Sequence, residues 1–143
     1  DQVMDASPEG AVELFHGYTY SGIPVAVSAA LAVQDIFEKE DIFNRVKNIS
    51  NYFQEGLHSL RDIECIESIR NYGLLGGIDI QMMDKPGKAG FQVYKECYKA
   101  GINIKPTGDA LIIAPPFICD KKNIDEIIEK LSKGIKNYIN ISK

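Results

Sequence analysis

The residues best suited to bind a ligand lie in one short segment near the start of the chain, residues 15–24, FHGYTYSGIP. Its hydroxyl groups, and the backbone N–H groups left accessible by two glycines, precede a helix that is predicted to begin at Pro24. A helix N-terminus carries about half a unit of positive charge, and Thr or Ser hydroxyls donate to anion oxygens. The segment therefore fits an anion site, although the same residue types also form an ordinary N-cap and turn.

The cysteines and histidines give no comparable signal. Cys65, Cys97 and Cys119 are far apart, odd in number, and lack the spacing of a metal site or of a redox C-x-x-C pair. A catalytic thiol would need a histidine partner, and the two histidines, His16 and His58, stand in different settings. We therefore predict three reduced thiols in or near the core, and no metal.

Composition restricts the partners of the chain. Of its 143 residues, 45% are hydrophobic and 25% are charged, as in soluble globular domains, and the formal net charge is -4. A surface that binds nucleic acid or an anionic membrane would need clustered Lys and Arg, so we expect small-molecule or protein partners. The sequence has no signal peptide and no apolar run of the ~20 residues that a membrane span requires, so we expect a cytoplasmic location.

Two helices are predicted first. From Pro24 to about Phe37 nearly every residue is apolar, which predicts a long helix that is buried on all sides, with part of its cover supplied by a missing domain or a second subunit. Asp41 can cap a second, amphipathic helix. Its apolar residues recur at three- and four-residue spacing: Phe43, Val46, Ile49, Phe53, Leu57 and Leu60.

The pattern then changes to that of strands. Apolar and polar residues alternate over 78–83, and Ile66 and Ile69 mark a shorter strand before them. A turn over 84–87 and a third helix, which Gly101 ends with a left-handed cap, come next.

Two strands joined by a turn follow, around Ile104 and over 111–113; Asp109 is expected to cap that turn. Asp120 caps a final helix. This order predicts an α+β fold with a small, mostly antiparallel sheet covered by helices on one face.

Three blocks of the sequence resemble one known family. Residues 16–26, HGYTYSGIPVA, are similar to a signature of the class III (omega) aminotransferases, which are fold type I enzymes that depend on pyridoxal phosphate (PLP). Residues 70–78, RNYGLLGGI, resemble the start of the C-terminal domain of that family, and residues 101–109, GINIKPTGD, resemble its closing hairpin. The sequences of these blocks are most similar to those of beta-alanine:pyruvate aminotransferases.

The resemblance implies an architecture and an activity. Residues 1–38 would end the large PLP-binding domain, and residues 39–143 would form the C-terminal small domain of a homodimer. The parent would transfer an amino group from an omega-amino acid or amine to pyruvate. Because the family's cofactor lysine matches no lysine here and belongs to a part preceding Asp1, we expect a fragment that is inactive alone.

The resemblance also assigns site residues. Thr19 would hydrogen-bond the phosphate of the PLP held by the other subunit, with Tyr18 beside it, whereas His16 would only shape the loop. Lys105 stands where the family commonly has an arginine that holds the substrate carboxylate; lysine keeps the charge but loses the two-pronged geometry. A solvated lysine at the end of a strand is an equally good interpretation of Lys105. Ile23 also departs from the usual His or Asn. No residue of this chain is assigned to catalysis.

The rival hypothesis is a stand-alone α+β binding or dimerisation module without catalysis. Such modules usually interleave strands and helices from their first residues, whereas this chain places a ligand-type loop and two helices in its first sixty. An upstream lysine at the end of a strand would support the enzyme, and a natural start near Asp1 would support the module.

Overall fold

The computed structural model describes residues 5–6, 17–81 and 86–142. The chain forms two compact units, residues 1–39 and residues 40–143, and each is described by itself. His16 and the predicted strand end and turn at 82–85 lie outside the described residues.

Helix α1 (Pro24–Lys39) is the main element of the first unit. Pro24 occupies its first position, where the missing N–H of proline costs no hydrogen bond. None of its residues is buried; Val25 is 79% exposed and Leu31 is 65% exposed. The prediction of a helix buried on all sides is therefore not met among the described residues, because the apolar residues of α1 lie on every side of the helix and all but Phe37 are exposed.

The second unit contains a four-stranded antiparallel sheet and three helices. In chain order its elements are α2 (Ile42–His58), β1 (Ile66–Tyr72), β2 (Leu75–Ile80), α3 (Ala89–Lys99), β3 (Lys105–Thr107), β4 (Ala110–Ile113) and α4 (Lys121–Ser142). The strand order is β1-β2-β4-β3, and every neighbouring pair is antiparallel. The predicted α+β architecture and the predicted order of elements are confirmed.

The helices cover one face of this sheet. Ile78 and Ile80 of β2 and Leu111 and Ile113 of β4 are buried. They belong to a single core with residues of all three helices: Phe53, Leu57, Val93, Cys97, Ile124, Leu131 and Ile135. Full burial of such a side chain contributes roughly 1.5–3 kcal/mol, so these contacts are the main source of stability. Successive strand residues point to opposite faces of a sheet. The residues that alternate with the buried ones in β2 and β4 therefore face away from the helices.

The helix ends agree only partly with the sequence predictions. Asp120 accepts a hydrogen bond from the backbone N–H of Asn123 at 2.9 Å, and the Asn123 side chain accepts one from the Asp120 N–H at 3.0 Å, which confirms the predicted cap. Gly101 has a φ of 88° and ends α3 as predicted. Asp41 occupies the N-cap position of α2, but its side chain does not cap the helix as predicted: its backbone is left-handed, and its carboxylate accepts hydrogen bonds from the Asn44 side chain.

The β3–β4 turn is attached to the start of α3 through Asp109. One carboxylate oxygen accepts the N–H of Gly87 at 2.7 Å and the other accepts the N–H of Ala89 at 2.9 Å. A Cβ on Gly90 would lie 2.6 Å from the carbonyl oxygen of Gly108, so only glycine permits this close approach. The N-cap residue of α3 makes no side-chain cap bond of its own, so Asp109 supplies that cap from the β3–β4 turn. The sequence had predicted that Asp109 caps its own turn, whereas both of its carboxylate oxygens bond to the start of α3.

Replacing Asp109 tests this attachment. Asp109→Ala leaves two N–H groups at the start of α3 without their acceptor, so we expect a loss of about 1–2 kcal/mol in the free energy of unfolding. Urea denaturation measures the loss, and hydrogen exchange should show faster exchange of the Gly87 and Ala89 amides. Asp62→Ala, at an exposed carboxylate, is the control. Equal stability of the two variants would contradict the assignment.

Candidate functional site

The first candidate site is the turn that precedes α1. The Ser21 N–H donates to the carbonyl oxygen of Tyr18 at 3.1 Å, and Gly22 has a φ of 74°, so the chain folds back just before the helix. This turn places Tyr18 and Thr19 on the surface. Tyr18 and Thr19 are thus adjacent in one exposed turn of the first unit.

The turn fits one side of an anionic group. The first hydrogen bond of the helix joins the Val27 N–H to the carbonyl oxygen of Ile23, so the N–H groups of Val25 and Ala26 have no partner within the helix. The exposed hydroxyl of Thr19 adds a donor of the kind that binds phosphate oxygens. No Lys or Arg occurs between residues 17 and 38, so this turn cannot neutralise a phosphate by itself. It can supply donors to an anion whose charge is balanced elsewhere.

The second candidate site is at Lys105, the first residue of β3 in the second unit. Lys105 pairs with Ile112 of β4, whose neighbours Leu111 and Ile113 face the core. Directly paired residues point to the same face, so Lys105 lies on the face that the helices leave uncovered. It borders an open cavity of about 500 Å³, and among the described residues no carboxylate lies within 4 Å of its ammonium. It is an available cation.

A row of paired residues leads from Lys105 across the sheet. Ile112 pairs with Gly77 of β2, and Gly77 pairs with Arg70 of β1. Because Gly77 has no side chain, the Arg70 side chain lies over it: a Cβ on Gly77 would be 3.4 Å from Arg70 Nε. A second open cavity, of about 380 Å³, contains Arg70 and shares Ile112 with the cavity at Lys105. The sequence analysis did not place Arg70 and Ile112 on the same face as Lys105, although strand alternation indicates which residues of one strand share a face.

Arg70 is held by two side chains of the same face. Its Nη1 donates to Asp79 Oδ2, which also accepts a hydrogen bond from the hydroxyl of Ser68. The Arg70 guanidinium, and to a lesser degree Ser68, lower the pKa of the Asp79 carboxyl below its ordinary value of 3.8. Asp79 therefore stays ionised and fixes one edge of the guanidinium.

The three cysteines are poorly suited to act as nucleophiles. Cys65, Cys97 and Cys119 are free and buried, as predicted. Burial raises the pKa of the Cys97 thiol to about 12, and it also raises the pKa of the other two. A thiol that stays protonated is a poor nucleophile and a poor metal ligand. In the described part of the chain no cluster of His, Cys, Asp and Glu side chains could hold a metal ion, and no helix could span a membrane.

The Asp79 carboxyl predicts an acid-dependent loss of stability. Its pKa is lower in the folded chain than the ordinary 3.8, so its stabilising effect is complete above pH 3.8 and disappears as the pH falls through the folded value. We expect Asp79→Asn to flatten the dependence of unfolding free energy on pH below 3.8, and to cost up to about 1 kcal/mol at pH 7 because the pair is partly exposed. Urea denaturation across this pH range measures both effects. Glu67→Gln, at an exposed carboxylate, is the control, and an unchanged acid limb in Asp79→Asn would contradict the prediction.

Comparisons with known proteins agree on one family. Residues 1–135 match the family model described as aminotransferase class-III. The chain is similar to the omega-aminotransferase of Caulobacter vibrioides, with 35% identity over 136 residues that cover 92% of this chain and 31% of that protein. It is also similar to the omega-amino acid–pyruvate aminotransferase of Pseudomonas putida, with 32% identity over 138 residues that cover 93% of this chain and 30% of that protein.

A solved structure supports the same assignment. The adenosylmethionine-8-amino-7-oxononanoate aminotransferase of Methanocaldococcus jannaschii superposes with a TM-score of 0.76 and 31% identity, over 87% of this chain and 30% of that one. The chain thus spans less than a third of the length of these three relatives. With 135 of its 143 residues matched to the family model, the chain belongs to the class-III aminotransferase family.

Proposed function

We propose that the chain is the C-terminal part of a PLP-dependent aminotransferase that transfers an amino group from an omega-amino acid or a related amine to pyruvate. The family match over residues 1–135 carries this proposal. Two relatives whose names specify omega-amino-acid or omega-aminotransferase activity support the substrate class. PLP supplies the electron sink of transamination, and the residues of this chain bind and orient.

In this proposal Thr19 donates a hydrogen bond to the phosphate of PLP, with Tyr18 beside it. The exposed hydroxyl and the open helix N-terminus of the first unit are suited to this contact. The absence of Lys and Arg from residues 17–38 means that the balancing charge must come from another part of the protein. The family's arrangement supplies it from the second subunit of a homodimer, so the turn acts across the dimer interface.

Lys105 binds the carboxylate of the substrate. Its ammonium is exposed, borders a cavity, and has no ion-pair partner among the described residues. A lysine makes a point-charge contact and lacks the fork of an arginine, so it fixes the position of a carboxylate more than its orientation. We therefore expect a broader choice of carboxylate substrates than an arginine would permit.

The two units correspond to two parts of the parent in this proposal. Residues 1–38 end the large PLP-binding domain and residues 39–143 form the small domain, close to the boundary between the compact units at residue 39. The 143-residue chain has no lysine that matches the cofactor lysine of the family, so it does not transaminate by itself. The parent works in the cytoplasm on small-molecule amines and keto acids.

A stand-alone binding module is the weaker proposal. Such a module would leave the apolar side chains of α1, including Val25 and Leu31, in water. An exposed apolar surface of this kind marks a contact with more protein. The large domain and the second subunit of an aminotransferase supply that contact, so the exposed helix favours the enzyme.

Substitution of Thr19 in the whole protein that contains this chain tests the proposal. Thr19→Val removes the hydroxyl at nearly constant volume, and a lost hydrogen bond to a charged phosphate should raise the Kd for PLP about tenfold. Thr19→Ser keeps the hydroxyl and should bind PLP like the natural protein. Cofactor release followed by absorbance measures the Kd, and transamination of an omega-amino acid with pyruvate is measured in parallel.

Two results would count against the proposal. Equal PLP affinity of Thr19→Val and Thr19→Ser would remove Thr19 from the cofactor site. A whole protein that binds PLP but transfers no amino group to pyruvate from any omega-amino acid or amine would overturn the activity.

A further inference from the structure

The outer side of α3 carries a stripe of aromatic residues. Phe91, Tyr94 and Tyr98 recur at three- and four-residue spacing, away from the buried Val93 and Cys97 that face the core. Phe91 is 53% exposed and Tyr98 is 64% exposed, and Tyr94 between them is half-buried. Neighbouring aromatic side chains at this exposure are typical of a surface that contacts a partner.

Three lysines form a second stripe beside the aromatic one. At 3.6 residues per turn, Lys88, Lys95 and Lys99 project within about 40° of one another around the helix axis. Among the described residues Lys88 and Lys95 have no ion-pair partner, and Lys99 Nζ lies 2.6 Å from Oε1 of the buried Glu96. With three lysines and one glutamate, residues 88–99 carry a formal charge of +2 in a chain whose net charge is -4. The outer side of α3 is therefore locally positive.

The aromatic stripe is packed together and joined to the lysine stripe. The ring centroids of Phe91 and Tyr94 are 5.9 Å apart, and those of Tyr94 and Tyr98 are 6.1 Å apart. The Lys95 ammonium lies over the Phe91 ring, 5.7 Å from its centroid. The Phe91 ring thus already contacts Tyr94 and Lys95, which leaves its edge more available to a partner than its faces.

The size of this surface suits a short segment of protein. At ~200 Å² for each aromatic side chain, the exposed parts of Phe91 and Tyr98 together offer about 230 Å². The interface of a stable dimer buries about 800 Å² per partner. The two stripes are therefore too small to hold a second copy of the chain, whereas a peptide can cover one side of an 11-residue helix.

The charge of the surface selects the chemistry of that segment. Ammonium groups beside an apolar stripe complement carboxylates beside apolar side chains. An RNA strand or an anionic membrane would also meet the acidic remainder of the chain, which opposes its binding, whereas a short acidic segment meets α3 alone. Nucleic-acid bases also need free ring faces on which to stack, and the Phe91 ring is occupied by Tyr94 and Lys95.

We propose that the outer side of α3 is a docking site for an acidic amphipathic helix of another protein. The aliphatic side chains of that helix contact the edges of Phe91 and Tyr98, and its carboxylates pair with Lys88 and Lys95. Because Phe91 and Tyr98 are seven residues apart, ~10.5 Å along the axis, aliphatic residues at i, i+3 and i+7 of the partner match them. The small area makes the contact transient. The docking site is independent of the aminotransferase function, since α3 lies on the opposite side of the sheet from the uncovered face.

Titration with a synthetic helical peptide tests the docking site. The probe has about 14 residues, with leucines at i, i+3 and i+7 and glutamates beside them. In one control peptide lysines replace the glutamates, and in a second control serines replace the leucines. NMR of the isotopically labelled 143-residue chain follows the backbone amides. We expect the acidic peptide to bind about fivefold to tenfold more tightly than either control, more weakly as ionic strength rises, and to shift the amides of α3 but not those of α1.

Matched variants locate the contact. Lys95→Glu reverses one charge of the lysine stripe and should weaken binding of the acidic peptide about fivefold to tenfold, whereas Lys47→Glu makes the same change on α2 and should have no effect. Tyr98→Ser removes an exposed ring and should weaken binding about tenfold, whereas Tyr72→Ser, at a tyrosine of β1 that is 89% exposed, should not. All four side chains are exposed, and backbone spectra confirm that each variant is folded.

Four results would overturn the inference. The first two are equal binding of the acidic and the lysine peptides, and binding that Lys95→Glu leaves unchanged. The third is tighter binding of an oligouridylate, or of vesicles with equal parts of phosphatidylserine and phosphatidylcholine, than of the acidic peptide. The fourth is failure of the whole protein that contains this chain to bind the peptide, because the parent would then cover α3. PLP affinity and transfer to pyruvate are measured separately, so none of these results affects the aminotransferase proposal.

Discussion

The antiparallel pairing of β2 with β4 is the constraint on which the second unit depends. This pairing places Ile78 opposite Leu111 and Gly76 opposite Ile113, so the buried residues of both strands point at the same three helices. A register shift of one residue would turn that apolar set towards water and face Asp79 into the core. The core therefore specifies the register, and the register alone decides which residues the uncovered face displays.

The chemistry of the uncovered face follows from that register. Strand residues that point away from the core can be polar without loss of core packing. Here they include Arg70 and Lys105, at the two ends of one cross-strand row. Asp109 ties the β3–β4 turn to the start of α3, so the strand that carries Lys105 is anchored to the same core. In the first unit the arrangement is different: an exposed turn and an apolar helix offer surfaces that suit contact with more protein.

Much of the fold could be predicted from the sequence, because the spacing of apolar residues and the residue types that end helices and strands are local properties. The apolar spacing in α2 and α4, the alternation in β2 and the left-handed Gly101 are all visible in single segments. Asp41 shows the limit of such reasoning, since a residue type that favours caps made a different hydrogen bond, to the side chain of Asn44. The burial predicted for α1 depended on protein beyond its own unit, which no local pattern describes.

The candidate sites also differ in how far the sequence could predict them. Thr19 and Lys105 were predicted because each lies in a continuous motif, whereas the row that joins Lys105 to Arg70 needs the pairing of β2 with β4, two strands separated by a helix and a third strand. The ion pair that fixes the Arg70 guanidinium to Asp79 is a detail of side-chain geometry that sequence spacing cannot show.

In the proposed function, this chain contributes contacts to a PLP site, and the lysine that attaches PLP covalently lies elsewhere in the parent. The most direct measurement is to incubate the purified 143-residue chain with PLP, reduce it with borohydride, and locate adducts by mass spectrometry. We predict no stoichiometric adduct on any single lysine. A saturable adduct on one lysine would contradict the account, because the chain would then hold the cofactor by itself.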